Sequence, residues 1–302
     1  MKVAACLCAQ VFLGVYAWGV SYPLTLVDGR GDATRLNAKP ERVVSIAPSA
    51  TDIVVELQGW DRLVGVSEHC QLSEEAGTVA RLPIYPGPSA EKLLGLQPDL
   101  VLAADITSPQ VVAQLRRLGL CVLVLNSAGL EGVVEDIRLV GEALDLTESA
   151  QRIVARFQSI RKRVRTALRT LDDRQKPTVL MALSPALDYF VGRGVYADAL
   201  ITEAGGRNLG ASVGLQWPKL SAESLIDLNP DVIFISQEEV SAAARRQLLV
   251  NLRADPNWQE MRAVKRGSVY LIESQLFSVP GTRLQWALPI LFEYLHPELA
   301  PL

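Results

Sequence analysis

Ser89–Leu102 reads SAEKLLGLQPDLVL, and Ser221–Phe234 reads SAESLIDLNPDVIF. Ser, Ala, Glu, two leucine positions, Pro and Asp recur in register, and the other apolar positions are conservative exchanges. The copies lie nearly half the chain apart, so the sequence reads as two halves built on one plan. Each copy has a physical reading. Ser89 and Ser221 are helix N-caps, because a hydroxyl oxygen can accept from an unsatisfied backbone N–H. Glu91 and Glu223 fall in the first turn, where the helix dipole favours a carboxylate. Leu93, Leu94 and Leu96, like Leu225, Ile226 and Leu228, are expected to form one apolar face. Pro98 and Pro230 stop the helices. The apolar runs that follow have the character of strands buried in a parallel sheet. Taken alone, the two glutamates need signify no more than dipole compensation.

The chain has 302 residues, room for two domains of ordinary size. At 49% hydrophobic and 21% charged it is globular, not disordered. A net charge of −3 with no basic block argues against a nucleic-acid partner, whose phosphates demand a Lys/Arg stripe. Met1-Lys2 and an almost uncharged run to Val20 fit a signal peptide over residues 1–20, with a membrane anchor as the alternative. The polar residues from Asp28 suit a free mature N-terminus. Of four cysteines, Cys6 and Cys8 would leave with the leader. Export would permit a Cys70–Cys121 disulfide, but Cys121 opens the apolar strand CVLVLN and reads as a small buried hydrophobe. No cysteine or histidine spacing suggests a metal site.

Between the repeats, β and α patterns alternate over residues 21–146, an α/β lobe with parallel strands. The long polar loop Ser67–Pro88 holds His69, Cys70 and Tyr85; loops of that length are usually functional or disordered. Over residues 147–172, Ala150, Val154, Phe157, Ile160 and Val164 recur at helical spacing. This helix would be roughly 36 Å long and is placed to join the lobes stiffly. A coiled-coil arm is the alternative. Residues 173–302 form the second lobe. The fold class is therefore α/β: two Rossmann-like lobes joined by a single long rigid helix, with a ligand cleft between them.

Enzyme signatures are missing: no P-loop, no GxGxxG after a strand and no GxSxG elbow. An enzyme acting at the cleft is the least favoured reading. His296 reads as a surface or helix-end residue, and His69 as a structural loop residue more readily than a ligand. Aromatics are only 6% of the chain, yet Tyr85, Tyr189, Phe190, Trp217 and Phe277 all fall in loops at strand or helix ends. In α/β sheets such loops meet ligands. Core packing is the alternative for each, and Trp217 beside Pro218 is expected to face the cleft.

PERVVSIAPSATD (Pro40–Asp52), LVGVS (Leu63–Ser67), the two repeats, AGGRNL (Ala204–Leu209) and Trp258–Tyr270 together resemble the substrate-binding proteins of ABC importers for vitamin B12, iron siderophores and haem. The likeness leans toward the cobalamin-binding branch. The resemblance implies two α/β lobes on one long helix, a periplasmic location, a monomer, no chemistry and no cofactor of its own. It implies delivery of the ligand to a permease and ATPase complex in the inner membrane. It assigns Glu91 and Glu223 to docking in arginine pockets of the permease. It assigns His69, Tyr85, Phe190, Trp217, Phe277 and Arg283 to the ligand cleft. Tyr85 stands where the branch has tryptophan, His69 where it has tyrosine, and Ala104 where relatives have another tryptophan. A large, partly apolar corrinoid with amide rims suits an aromatic cleft with few charges. An anionic siderophore would call on Arg193 and Arg283, and haem on His69 or Tyr85 as axial ligand.

Overall fold

The computed structural model describes residues 20–70, 72, 79–83, 88–238 and 240–301. The leader expected over residues 1–20 lies outside them except for Val20, and so does Tyr85. No described helix is long and apolar enough to cross a membrane.

The first lobe opens with an antiparallel pair, β1 (Leu24–Val27) and β2 (Ala33–Leu36). The lead-in expected to be polar and free is thus tied down. Asp28 is buried, accepts from the Val124 amide and pairs with Arg116 at 2.7 Å. The main sheet comprises β3 (Val43–Ser45), β4 (Leu63–Ser67), β5 (Ala80–Leu82), β6 (Leu100–Ala104) and β7 (Val122–Leu125). All pairings are parallel, in the order β5-β4-β3-β6-β7. β3, β6 and β7 are buried along their whole length, as expected where helices cover both faces of a parallel sheet. Those helices are α1 (Pro48–Glu56), α2 (Ala90–Gly95), α3 (Pro109–Arg117) and α4 (Gly129–Ala143). β5 lies inside the stretch read as a long loop; three residues are too short for a period-two signal to stand out.

α5 (Thr147–Ala167) is the connecting helix, continued by a 3₁₀ turn over Leu168–Thr170. Its buried face is Ala150, Val154, Phe157, Ile160, Arg161 and Val164. The arginine in that stripe is the residue periodicity did not select, and its charge is met from both sides. Its Nη1 donates to Glu131 of α4 at 2.6 Å, and its Nε to Glu203 of the second lobe at 3.2 Å. Arg165 adds a second contact to Glu203 at 2.6 Å.

The second lobe has β8 (Thr178–Ala182), β9 (Arg207–Asn208), β10 (Val232–Gln237) and β11 (Val269–Glu273) in the parallel order β11-β10-β8-β9. Its helices are α6 (Tyr196–Glu203), α7 (Ala222–Leu228), α8 (Ala242–Ala254), α9 (Arg262–Arg266), α10 (Ser274–Ser278) and α11 (Leu284–Leu295). One apolar core runs from the first sheet through α4 and α5 into α6 and α11. Separate cores fill the outer faces of the two sheets.

Both repeats form the expected unit. Ser89 Oγ accepts from Lys92 N at 3.3 Å to cap α2, and Ser221 Oγ from Ser224 N at 3.2 Å to cap α7. Leu93 and Leu225 are buried. Leu94 and Ile226 depart from the expected apolar face, each being 42% exposed. On helices this short only one stripe reaches the sheet.

Candidate functional site: the interlobe cleft

In each sheet the chain order reverses once, between β3 and β6 in the first lobe and between β8 and β10 in the second. Parallel sheets open a crevice at such a reversal, beyond the strands' carboxyl ends. The segments leaving those ends line the space between the lobes. From the first lobe come Pro48 and Ser49 after β3, Ala104 to Ile106 at the end of β6, and Asn126 to Ala128 after β7. From the second come Gly194 to Tyr196, Gln216, Trp217, Val279 and Pro280. A second, more polar chamber adjoins this one, lined by Thr51, Asp52, His69, Cys70, Glu238, Gln275 and Arg283. Pro48 and Val279 border both chambers.

Trp217 is held in place by its neighbours' backbone. Gly192 N donates to Gln216 O at 2.9 Å, Arg193 N to Leu215 O at 2.8 Å, and Phe190 N to Pro218 O at 3.0 Å. Gly192 is required for this approach, since a Cβ there would sit 1.9 Å from Leu215 O. Trp217 stays 40% exposed and faces the cleft, as expected. Across from it on the first lobe is Ile106, 81% exposed. Asp105 is the one charged residue among the described lining of this chamber.

The other expected aromatics sit elsewhere. Phe190 is fully buried in the core of the second lobe, and Phe277 is buried in the core shared by both lobes. Both are corrections. A phenyl ring next to a strand end gains more from a dry core than from a wet cleft. Tyr196, buried, donates its hydroxyl to Phe277 O and places that segment at the cleft wall. His69 is exposed at the rim of the polar chamber, 3.8 Å from Glu68. Arg283 reaches the polar chamber, but its guanidinium donates to Asp52 Oδ1 at 2.7 Å and to Gln275 at 2.6 Å. Arg193 is exposed and donates to Ala211 O. His296 caps α11 as expected but is buried, against Gly205 O and Phe292, not at the surface. Cys70 and Cys121 are both free thiols. Cys70 contacts Thr51 Oγ1 at 3.1 Å, and Cys121 is half-buried beside the β1–β2 pair.

Sequence reasoning missed Asp136. It accepts from Asn126 N at 2.9 Å and Ser127 Oγ at 2.8 Å, fixing the cleft loop after β7. Burial pushes its carboxyl up to about 6, against those two hydrogen bonds. Asp136 lies on the face of α4 turned to β7, and a carboxylate on a buried helical stripe was the available signal.

Glu91 and Glu223 are exposed. A helix that precedes a parallel strand starts at the sheet edge where that strand ends. The two glutamates therefore stand at the edges of the two sheets from which the cleft loops emerge.

Two α/β lobes on one helical spine, with loops from both converging on a shared crevice, define a two-lobed solute-binding protein. The chain belongs to the periplasmic binding protein family, whose sequence pattern matches residues 43–276. It is 27% identical over 282 residues to an uncharacterised ABC transporter substrate-binding lipoprotein of Bacillus subtilis, covering 92% of this chain and 87% of that one. It is 32% identical over 236 residues to a cobalamin-binding protein of Halobacterium salinarum, covering 74% of this chain and 62% of that one. Among solved structures, a periplasmic haem-binding protein from Pseudomonas aeruginosa superposes with a TM-score of 0.74 at 25% identity, covering 87% of this chain and 95% of that one.

Proposed function

We propose that the protein captures cobalamin or a related corrinoid between its lobes, in the periplasm, and delivers it to an ABC permease and ATPase complex in the inner membrane. The observation that carries the ligand class is the lining of the larger chamber. Trp217, Ile106, Val195 and Pro280 give it apolar walls, Asn126, Ser127 and Gln216 give it amide and hydroxyl groups, and Asp105 is its one described charge. Such a lining suits a bulky ligand with an apolar face and an amide rim. An anionic siderophore would meet no arginine or lysine in the described lining there, and Arg283 in the adjoining chamber is already engaged by Asp52.

Delivery rests on the two glutamates. Glu91 and Leu94 share one face of α2, and Glu223 and Ile226 share the same face of α7, all four exposed. A carboxylate beside an apolar side chain, repeated on each lobe, is a two-point contact for a partner with paired basic pockets.

Titration with cyanocobalamin, followed by corrinoid absorbance and Trp fluorescence, tests the ligand. Binding with a dissociation constant on the order of micromolar or tighter is expected. Failure with cyano-, aquo- and related corrinoids overturns the reading. Haem is the second reading, favoured by His69 at the rim of the polar chamber. It predicts a Soret shift with haemin that His69→Ala abolishes. The double variant Glu91→Ala, Glu223→Ala is expected to retain ligand affinity and lose uptake.

A further inference from the structure

The two interlobe chambers meet at Pro48 of the first lobe and Val279 of the second. One carboxylate fixes that boundary. Asp52, a turn beyond Pro48 on α1, accepts from three donors of the other lobe at once. Thr282 N and Thr282 Oγ1 reach Oδ2 at 2.8 and 2.7 Å, and Arg283 Nε reaches Oδ1 at 2.7 Å. The side chain of Asp52 is only 10% exposed. The opposing backbone is pressed against it, since a Cβ on Gly281 would lie 2.4 Å from Asp52 Oδ2. Ser127 adds a weaker contact to Pro280 O at 3.4 Å.

Burying a carboxylate is costly even beside a partly exposed guanidinium, and such a pair is a poor source of net stability. Its use is geometric. Three donors on two oxygens define the distance and register between α1 and the segment at 279–283 in a way that apolar packing would not. Pulling the lobes apart here would exchange three fixed hydrogen bonds, one of them charge-assisted, for contacts with water, so the cleft resists opening without any ligand present.

We propose that Asp52 is an interlobe latch: it sets the aperture of the cleft before ligand arrives and holds the wall that divides the cleft into an apolar and a polar chamber. It acts through the segment it positions. The inference concerns the cleft itself and stands whichever ligand fills it.

Hydrogen exchange and small-angle scattering on the ligand-free protein test it. In Asp52→Ala, amides over residues 280–285 are expected to exchange about tenfold faster or more, while β6 and β10 keep their wild-type rates. The radius of gyration should rise. Unchanged exchange at 280–285 in the folded variant would overturn the proposal. So would uniform acceleration through both lobes, because that would mean Asp52 contributes only to global stability. Should Asp52→Ala not fold, Asp52→Asn keeps the side chain's shape while removing its charge, and the same two outcomes decide. No ligand enters these measurements, so they remain decisive if corrinoid binding fails.

Discussion

In the first lobe Asp99 accepts from Glu41 N and Arg42 N and so fixes the lead-in to β3. In the second lobe its counterpart Asp231 accepts from Thr178 N and Oγ1 and fixes the start of β8. Just before each shared proline, Gln97 and Asn229 take positive φ values of 47 and 41. An arginine then caps the carbonyls at each helix end. Arg42 donates to Leu96 O and Gln97 O, and Arg262 to Asn229 O. Those arginines come from different elements, one before β3 and the other from α9. The repeated unit is thus a backbone shape that needs a guanidinium from outside, and each lobe supplies it in its own way. At the cleft the likeness ends. The first lobe offers Ser49, Ala104 and Ser127, and the second offers Val195, Tyr196 and Trp217. What is shared builds and orients the sheet, and what differs meets the ligand.

The largest expected effect comes from the group both lobes share. Arg161→Ala leaves Glu203 with Arg165 as its remaining partner at a nearly closed site, removes the contact to Glu131, and should cost about 3 kcal/mol in urea unfolding. Arg161→Met combined with Glu203→Gln should recover most of that loss. A loss confined to one lobe's signals would show that the cluster does not couple them.

Next comes the matched pair of aspartates. Asp231→Ala is expected to cost about 2 kcal/mol, and the more exposed Asp99→Ala about half of that, by thermal unfolding. Equal losses would mean the two units are energetically as well as geometrically alike. Burial pushes the Asp231 carboxyl up, but its Thr178 hydrogen bonds and the Arg262 and Arg266 charges outweigh this and hold it below the usual range. Its contribution is therefore present at neutral pH and lost as the pH falls into the carboxylate range.

The smallest effect has the opposite sign. Asp136 titrates near 6 in the folded chain, above an unfolded aspartate, so the folded state holds the extra proton between the two values. Its contribution is full in acid and lost as pH rises through about 6. From about pH 5 to about pH 7.5, wild type should lose roughly 1 kcal/mol relative to Asp136→Asn. A parallel pH profile in the variant would remove Asp136 from the account.

The repeat, the lobes and the connecting helix were legible because each rests on local chemistry: a hydroxyl cap, a proline stop, a period of 3.6. β5, β9 and α10 were not, being too short to carry a period. Within the cleft Trp217 was legible, since proline and polar neighbours keep an indole from the core. Phe190 and Phe277 misled because adjacency to a strand end does not tell which way a ring turns. Asp52 carries no local signature and Asp136 only its place on a buried helical stripe: their partners lie in another lobe or in the loop after β7, and tertiary contact reveals them.

The apolar core that passes from the first sheet through α5 to α11 bears on how the chain can be divided. The sequence pattern puts the expected boundaries at residues 146 and 173, yet neither lobe cut there would be a closed body, for each would present to water the helical face its neighbour covers. The molecule is two domains to the eye and one to a calorimeter: the lobes should melt together, and half-length fragments should be recovered only by co-expression.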